Sequence, residues 1–316
     1  MRIGILEPDG FSVPARARLE MLGDVTDFDG GALPSFLHDK QVLFVRLRNR
    51  INEDFLALAR ELRVLCSPTT GLTHIDVEAL AARRVRLLSL KGETEFLQRI
   101  RATPEHALGL LIALLRNYRI AFQHEANAHW DRDRCRGEEL FGMPVGIVGF
   151  GRVGRRLAHY LRGFEAKVGW FDPYLSEEYP GTTRYGSMVG LISASRAVVL
   201  AASYEPGTRP IIDADLVAML AGKYFVNVAR GELVDDAALV AAAQSGRLAG
   251  CAVDVISDEH NPDARWQWRA AARTGNTIVT PHIAGATFAS MRATEEFLVQ
   301  KLTEVLAEPG VLQEEP

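Results

Sequence analysis

The chain has 316 residues, of which 47% are hydrophobic and 24% charged, as is ordinary for a globular protein with about two domains. Its formal net charge of −4 and pI near 6.1 provide no basic field for collecting phosphates, so nucleic acid is not an expected partner. Three cysteines, Cys66, Cys135 and Cys251, are too few and too scattered for a disulfide framework or a metal site, so no metal is expected.

The first residues predict a strand rather than a targeting segment. MRIGILEPDG has few apolar residues before Glu7 and Pro8, whereas a signal peptide needs an apolar core of ~7–15 residues. The longest apolar run, Ala107–Leu115, is about half of the ~20 residues that a membrane span requires. We therefore expect a cytoplasmic protein with no membrane partner.

Short apolar runs rich in Val, Ile and Leu alternate with longer segments of helical pattern. Such continuous runs are typical of parallel strands covered on both faces, so the predicted fold is α/β, with parallel sheets flanked by helices. The predicted strands are Arg2–Leu6, Val42–Val45, Val64–Ser67, Val85–Leu90, Val145–Val148, Val168–Phe171, Ala197–Ala201, Tyr224–Val228, Gly250–Val255 and Thr277–Thr280.

Two further segments have helical patterns. A long one from Pro104 to Trp130 separates the early strands from the late ones, and an amphipathic one from about Ala289 to Leu306 follows the last strand. Because no long Pro/Gly linker separates the two strand groups, we expect two domains that share helices.

Gly149, Gly151 and Gly154 stand between a predicted strand and a predicted helix. In a G-x-G-x-x-G turn the first glycine makes the tight turn, the second lets the backbone approach a pyrophosphate, and the third allows close packing of helix and strand. The helix N-terminus then supplies free N–H groups and partial positive charge for the phosphates. This context predicts a dinucleotide site, although the glycine spacing alone is weak evidence.

Asp172 stands at the end of the next predicted strand. Dinucleotide-binding folds place an acidic residue about 20 positions after the glycines, where it accepts hydrogen bonds from the adenosine ribose hydroxyls. An aspartate would also repel the additional phosphate of NADP. NAD is therefore the expected cofactor.

Arg230, Asp254, Glu259 and His282 lie at or just after the ends of three later strands. Ligands of open parallel sheets bind beyond the carboxyl ends of the strands. A guanidinium grips a carboxylate through two parallel hydrogen bonds, and a histidine beside a carboxylate is suited to proton exchange near neutral pH. We therefore predict a carboxylate anchor at Arg230 and an acid/base pair at Glu259 and His282.

These motifs together closely resemble the NAD-dependent D-isomer-specific 2-hydroxyacid dehydrogenases, which include D-3-phosphoglycerate, D-lactate and glycerate/hydroxypyruvate enzymes. The resemblance runs over nearly the whole chain from about Val64. It is carried, in family order, by TTGLTHIDVEAL, GFGRVGRRLA, WFDPY, NVARGELVDDAAL, SGRLAGCAVDV and TPHIAGAT. It implies hydride transfer between NAD(H) and a small D-2-hydroxy acid or 2-keto acid.

The resemblance also assigns the site. It implies that Arg230 binds the substrate carboxylate and carbonyl oxygen, that His282 is the acid/base, and that Glu259 tunes His282. Asp254 would contact the nicotinamide amide. The other implied cofactor-binding residues are Gly149, Gly151, Arg152, Val153, Gly154, Asp172, Thr208, Val228, Ala229, Ala284 and Gly285. The implied substrate loop, whose backbone N–H groups meet the carboxylate, consists of Thr70, Gly71 and Leu72.

The family fold implies two Rossmann-like domains and a discontinuous substrate domain. On this basis residues 1–101 begin the substrate-binding domain, residues 102–286 form the NAD-binding domain, and residues 287–316 return to the first. Members usually form dimers through the cofactor domain, so a homodimer is expected.

The chain departs from the family pattern in three places. Ser203 stands where proline is common, and Arg196 stands where the strand often starts with aspartate, which leaves the lining of the cofactor cleft open. The connection LKGETEFLQRIRATPEH is longer than usual and would reshape the substrate pocket.

Arg46, Arg48 and Arg50 follow an early predicted strand. If the segment stays extended, their alternate spacing places all three on one side. If the three arginines face the substrate, they would bind a second anionic group such as phosphate. This interpretation favours a 3-phosphoglycerate-like or other sugar-derived hydroxy acid as the substrate. A solvated basic edge explains the spacing equally well.

Trp266 and Trp268 lie between Glu259 and His282. They are interpreted either as a lid beside the site or, in the favoured alternative, as packing within an irregular loop.

Two other functions remain open at this point. A relative acting on another small anion, such as phosphite, would keep the same motifs, whereas formate dehydrogenases typically carry glutamine in place of Glu259. An NADH-sensing protein resembling transcriptional corepressors of this fold would also keep them, but would show an exposed peptide-binding groove and weak turnover.

Overall fold

The computed structural model describes residues 1–126, 130–205 and 210–308. The chain divides into two compact units. Unit 1 consists of Met1–Ile100 and the segment that begins at Ala286, and unit 2 consists of Arg101–Gly285.

The strands are β1 (Arg2–Ile5), β2 (Asp24–Asp27), β3 (Val42–Phe44), β4 (Val64–Ser67), β5 (Arg86–Ser89), β6 (Pro144–Val148), β7 (Lys167–Phe171), β8 (Thr183–Arg184), β9 (Ala197–Leu200), β10 (Tyr224–Asn227), β11 (Gly250–Val253) and β12 (Thr277–Val279). The helices are α1 (Val13–Leu22), α2 (Leu33–Leu37), α3 (Glu53–Leu58), α4 (Val77–Ala82), α5 (Thr94–Leu97), α6 (Ala102–Leu115), α7 (Tyr118–Ala126), α8 (Arg152–Gly163), α9 (Met188–Ala194), α10 (Ala214–Met219), α11 (Asp236–Gln244), α12 (Pro262–Ala271) and α13 (Phe288–Leu306). A short 3-10 helix spans Gly231–Leu233.

The described residues of each unit form one parallel sheet. In the described part of unit 1 the strand order is β2-β1-β3-β4-β5, and in that of unit 2 it is β12-β11-β10-β9-β6-β7-β8. Apolar residues are buried on both faces of these sheets, which explains the continuous apolar runs in the sequence. The predicted α/β class, with helices flanking parallel sheets, is confirmed.

Alternate residues of the unit 1 strands face different cores. Val64 and Cys66 pack with α1 and α13, whereas Leu65 packs with the side of the sheet that carries α3 and α4. The amphipathic helix predicted near the C-terminus is α13, which begins after Thr287, whose side chain accepts a hydrogen bond from the backbone N–H of Ser290.

Two strands, β2 and β8, were not predicted. Their sequences, DVTD and TR, are mostly polar, and both lie at a sheet edge in the strand order above. An apolar run marks a strand that is covered on both faces, so this criterion misses polar strands at an edge.

The single helix predicted from Pro104 to Trp130 was wrong, because α6 and α7 are separated at Asn117. Asn117 has φ +51°, a conformation that asparagine tolerates better than most residues. Its side chain donates to the carbonyl of Arg136 at 2.7 Å and accepts from Nδ2 of Asn276 at 3.0 Å. These hydrogen bonds to residues distant in the sequence stabilise the interruption between α6 and α7.

The segment with the two tryptophans forms α12, so the predicted irregular loop was also wrong. Asn261 caps the helix and Pro262 begins it, as is favourable at a first helical position. Trp268 is buried and its indole N–H donates to both carboxylate oxygens of Asp236, at 3.1 and 3.2 Å, whereas Trp266 is exposed. Trp268 therefore fixes α12 against α11.

Among the helices in the described ranges, none combines the length and apolar content needed to cross a bilayer.

Candidate active site

Gly149 and Gly151 lie in the predicted turn between β6 and α8, and Gly154 lies in the first turn of α8. Gly149 has φ +88°, and a Cβ there would lie 2.4 Å from the Cα of Ala202. A Cβ at Gly154 would lie 2.2 Å from the carbonyl oxygen of Gly149, so the third glycine allows close packing. Around Gly151, by contrast, none of the described atoms lies within 4 Å of an added Cβ. Space beside the turn is therefore open to an approaching group.

The N-terminus of α8 begins at this open space. Its N-cap is Gly151, and no side chain caps it among the described residues. Its N–H groups and dipole favour an anion. Burial, and next the nearby Arg101, lower the pKa of Arg152, which follows the cap. A pyrophosphate placed here would offset the repulsion between these two cations.

Asp172 follows β7, and its carboxylate is hydrogen-bonded to the backbone of the glycine turn. Its Oδ2 accepts a hydrogen bond from the N–H of Phe150 at 2.9 Å, and its Oδ1 accepts one from the N–H of Tyr174 at 3.0 Å. Each oxygen keeps a lone pair that can accept a ribose hydroxyl. The open glycine turn, the uncapped helix and this carboxylate together fit a dinucleotide.

Glu259 and His282 form the predicted pair. Nδ1 of His282 lies 2.8 Å from Oε2 of Glu259, so Nδ1 is protonated and donates a hydrogen bond to the carboxylate. Both side chains are partly exposed, and within the described chain Nε2 of His282 has no hydrogen-bond partner. The ring is thus held in one orientation with its other nitrogen available for proton exchange.

Arg230 lies beyond β10 and donates to the carbonyl of Ala229 at 2.6 Å. No carboxylate oxygen of the described residues lies within 4.0 Å of its guanidinium. Burial lowers the pKa of Arg230, while Glu259, Glu232 and Asp254 oppose that shift. Arg230 stays charged, because an arginine is not deprotonated in proteins, and is free to bind an anion.

Gly231 joins the Arg230 segment to the loop that leads to Glu259. A Cβ at Gly231 would lie 2.0 Å from the carbonyl carbon of Ile256 and 2.1 Å from the backbone N of Ser257. Two backbones therefore touch at this glycine. This contact fixes the backbone next to Arg230 against the loop that leads to Glu259.

Asp254 is buried at the end of β11 and organises the turn that carries His282. Its Oδ1 accepts hydrogen bonds from Thr280 Oγ1 at 2.6 Å and from the N–H of Ile283 at 2.9 Å, and its Oδ2 accepts one from the N–H of Ala284 at 2.8 Å. Its carbonyl oxygen accepts the N–H of His282 at 2.8 Å. His282 has φ +53°, which is uncommon for a residue with a side chain, so the turn requires such restraints.

Two opposing effects set the acidity of Asp254. Burial raises its pKa, but hydrogen bonds from His106, Thr280 and the N–H groups of Ile283 and Ala284 lower it, and the net direction is downward. Asp254 is therefore an anion at neutral pH. Since Oδ2 accepts from one donor within the described parts of the chain, it keeps a lone pair for the predicted nicotinamide amide.

The remaining predicted cleft residues lie around these strand ends. Val228, Ala229 and Ala284 are buried, Val153 is partly buried, and Gly285 is exposed. Thr208 lies outside the described residues.

Arg196 lies at the opposite end of the sheet, immediately before β9. It forms an ion pair with Glu138, whose Oε1 also accepts the hydroxyl of Tyr224 at 3.1 Å. Hydrogen bonding from Arg196 holds the pKa of Glu138 below its usual range. The departure at Arg196 therefore does not alter the carboxyl ends of the strands.

The predicted substrate loop lies in unit 1 after β4. Thr69 Oγ1 donates to the carbonyl of Gly71 at 2.9 Å and lies 2.8 Å from Oγ of Ser67. Thr70 is exposed, while Gly71 and Leu72 are partly exposed. These side-chain bonds shape the loop, and its role in substrate binding stays a prediction.

The predicted row of arginines also lies in unit 1. The chain bends at Leu47–Asn49, so the extended segment needed for a one-sided row is not formed. Arg46 pairs with the buried carboxylate of Glu295 and donates to the carbonyl of Asp9 at 2.8 Å. Arg48 and Arg50 are exposed. Binding of substrate by these arginines stays a prediction.

Sequence reasoning missed His106. Its Nε2 lies 3.2 Å from both Thr280 Oγ1 and Asp254 Oδ1. The signal available in the sequence was a single histidine directly before the apolar run ALGLLIALL, which is also the pattern of a histidine buried in a core.

The model of one protein family matches residues 108–284, which is more than half of the chain: "D-isomer specific 2-hydroxyacid dehydrogenase, NAD binding domain". The matched range lies inside unit 2 and contains the glycine turn, Arg230, Glu259 and His282.

Two curated relatives are D-3-phosphoglycerate dehydrogenases. The protein from Methanocaldococcus jannaschii is 27% identical over 311 residues, which cover 96% of this chain and 57% of that protein. The protein from Mycobacterium bovis is 30% identical over 262 residues, which cover 82% of this chain and 48% of that protein. The chain thus spans about half the length of these relatives.

A solved D-lactate dehydrogenase from Aquifex aeolicus, in complex with NAD and lactic acid, has a TM-score of 0.81 at 21% identity, with 97% of this chain and 95% of that chain covered. This likeness shows a shared fold.

Proposed function

Because the chain belongs to the D-isomer-specific 2-hydroxyacid dehydrogenase family, we propose that it transfers a hydride between NAD(H) and a small D-2-hydroxy acid or 2-keto acid. One observation carries the proposal. Arg230, which has no carboxylate partner among the described residues, follows β10, and the Glu259–His282 pair follows the two adjacent strands β11 and β12. An anion anchor and a proton-exchanging group are the two elements that this reaction needs from the protein.

In the oxidation direction, Nε2 of His282 takes the proton of the substrate hydroxyl. Glu259 holds Nδ1 and stabilises the imidazolium that forms, while Arg230 holds the substrate carboxylate and the oxygen that becomes a carbonyl. In the reverse direction the imidazolium returns the proton. NAD, when bound, supplies the hydride acceptor or donor, and it would be held by the Gly149–Gly154 turn and Asp172.

We assign cofactor binding to unit 2 and substrate selection to unit 1. The substrate class that we favour is a phosphorylated or sugar-derived hydroxy acid, because two relatives are D-3-phosphoglycerate dehydrogenases and because Arg48 and Arg50 are exposed cations. Thr70, Gly71 and Leu72 would bind the substrate carboxylate through their backbone N–H groups.

We further propose a homodimer formed through unit 2. Tyr118 and Phe122 of α7 stack with ring centroids 5.5 Å apart, and Phe122 is 68% exposed. Exposed aromatic pairs of this kind favour an interface. Light scattering should give twice the chain mass, and Phe122→Asp should shift the protein towards monomer; a native protein of single chain mass would refute the dimer.

The protein would act in the cytoplasm. Cys66, Cys135 and Cys251 are free thiols, which favours a reducing compartment.

The test is loss of NADH fluorescence with a panel of 2-keto acids: glyoxylate, pyruvate, hydroxypyruvate, 3-phosphohydroxypyruvate and 2-oxoglutarate. We expect turnover of at least one, with preference for the phosphorylated acid. Arg230→Lys should lower kcat/KM by about 10- to 100-fold, because an ammonium cannot form the paired hydrogen bonds. Arg265→Lys, at an exposed position of α12, is the matched control and should change nothing. Tight NADH binding without any turnover would refute the proposal and favour a cofactor-sensing protein.

A further inference from the structure

His106 stands behind the acid/base pair, on the first turns of α6. Its Nε2 lies 3.2 Å from Oδ1 of Asp254 and 3.2 Å from Oγ1 of Thr280. An ionised carboxylate can only accept hydrogen bonds, so Nε2 carries a proton that is shared between these two oxygens. Among the described residues, the hydrogen-bonding partners of the His106 ring are Thr280 and Asp254 and not His282, so an effect on His282 through hydrogen bonds passes through these two residues.

The two carboxylate oxygens of Asp254 accept different numbers of hydrogen bonds. Oδ1 accepts from Thr280 Oγ1, the N–H of Ile283 and Nε2 of His106, whereas the donor to Oδ2 among the described residues is the N–H of Ala284. Each oxygen of this carboxylate accepts a hydrogen bond from a backbone N–H. Both bonds form only when the carboxylate keeps one orientation about its bond to Cβ. The imidazole of His106, held on a long helix, is the donor that fixes this rotation from outside the turn.

The turn that Asp254 anchors has two links to His282. The carbonyl of Asp254 binds the N–H of His282, and its carboxylate binds the next two N–H groups. His282 also keeps a left-handed backbone at φ +53°. Loss of these bonds would let the backbone relax and would move the ring relative to Glu259.

We propose that His106 is a positioning residue: its Nε2–H fixes Asp254 and Thr280, and through them the backbone of His282. The kinetic part rests on the proposed dehydrogenase function. The structural part does not, because it concerns the N–H groups of Ile283 and Ala284. His106 thereby joins α6 to the acid/base turn.

The experiment compares two variants of the full chain. His106→Gln retains an N–H donor at a similar reach, whereas His106→Phe retains a flat ring without a donor. His159→Gln removes an exposed histidine of α8 and is the matched control. Hydrogen exchange is followed by mass spectrometry in peptides that cover residues 280–287 and 107–115.

In His106→Phe, exchange in 280–287 should rise roughly tenfold or more, as expected when hydrogen bonds to a charged acceptor are weakened, with exchange in 107–115 unchanged. His106→Gln and His159→Gln should match the native protein. With a 2-keto acid that the native protein reduces, kcat of His106→Phe should fall by roughly 10- to 100-fold while KM for the acid stays within about twofold.

Three results would overturn the inference. The first is native protection of 280–287 in His106→Phe. The second is equal loss of protection in 107–115, which would indicate a packing defect in α6. The third is failure of His106→Gln to restore protection, which also decides the matter if His106→Phe does not fold. If no acid is reduced by the native protein, the proposed function fails, and the exchange data still decide the role of His106.

Discussion

Nδ1 of His282 donates a hydrogen bond to Oε2 of Glu259 over 2.8 Å, which leaves Nε2 as the nitrogen that exchanges protons. We predict that His282→Ala lowers kcat by about 10²–10⁴-fold, the usual contribution of a general acid/base, with NADH affinity retained. Glu259→Gln should cause a smaller loss, because an amide still accepts from Nδ1 but does not stabilise the imidazolium. Since the two residues act as one unit, the double variant should be no slower than His282→Ala in steady-state assays. Additive losses would contradict the pairing.

Arg46 and Arg48 should differ in what they contribute. Arg46 neutralises the buried carboxylate of Glu295, so Arg46→Met should lower the free energy of unfolding by about 3–5 kcal/mol. The side chain of Arg48 is exposed and its guanidinium lies 3.9 Å from the exposed carboxylate of Asp9, so Arg48→Met should change stability by less than about 0.5 kcal/mol. If Arg48 binds a substrate phosphate, its variant should raise KM for 3-phosphohydroxypyruvate and leave KM for pyruvate unchanged. Denaturant titration and steady-state kinetics measure the two effects, and equal stability losses would contradict the first.

Gly231→Ala should disturb both catalytic segments. The new Cβ would meet backbone atoms of Ile256 and Ser257, which cannot move as a flexible side chain does. We expect a loss of roughly 3 kcal/mol in the free energy of unfolding, together with a fall in kcat. Gly109→Ala, in the middle of α6 with no described atom near the new methyl group, should be neutral or stabilising by about 0.5–1 kcal/mol. A stable, active Gly231→Ala protein would show that these backbones do not need their contact.

The pKa of Asp254 gives a prediction for acid stability. Its folded-state pKa is lowered from the ordinary value of 3.8, so the stability it contributes is present above that value and is lost as pH falls through the folded-state pKa. At pH 7, Asp254→Asn should be less stable than the native protein by about 1–3 kcal/mol, because buried N–H groups lose their acceptor. Urea unfolding at several pH values should show this gap narrowing below about pH 4. A gap that is constant down to pH 3 would contradict the account.

Asp172 should set the choice between NAD and NADP. Asp172→Ala removes both the acceptor for ribose hydroxyls and the charge that repels a 2′-phosphate, so NADH affinity should fall by about 10-fold or more while NADPH affinity rises. Fluorescence titration with both cofactors measures the ratio. Asp172→Asn keeps an acceptor but removes the charge, and should gain NADPH binding with less loss of NADH. An unchanged ratio in both variants would place cofactor discrimination elsewhere.

The order of motifs along the sequence predicted the family, the parallel α/β fold and the Glu259–His282 contact. The contact could be predicted because parallel strands place their carboxyl ends at a common edge, which brings together residues that follow different strands. The glycine turn was predictable for a different, local reason, because a strand and a helix that follow each other closely restrict the geometry of the residues that join them.

Other features depend on contacts that no local pattern reports. The ion pair of Arg46 with Glu295 joins residues 249 positions apart. The helix break at Asn117 depends on Arg136 and Asn276. His106 shows nothing in the sequence that separates it from a core histidine, because its significance comes from Asp254, which follows the distant strand β11.

The ion pair of Arg196 with Glu138 lies at the amino ends of the unit 2 strands, whereas the residues assigned to chemistry follow their carboxyl ends. Protein engineering can use this separation. Charges and packing near Arg196, Glu138 and Tyr224 can be redesigned to raise the melting temperature while substrate turnover is left as it is. The same sheet thus offers one edge to optimise for durability and another to optimise for specificity.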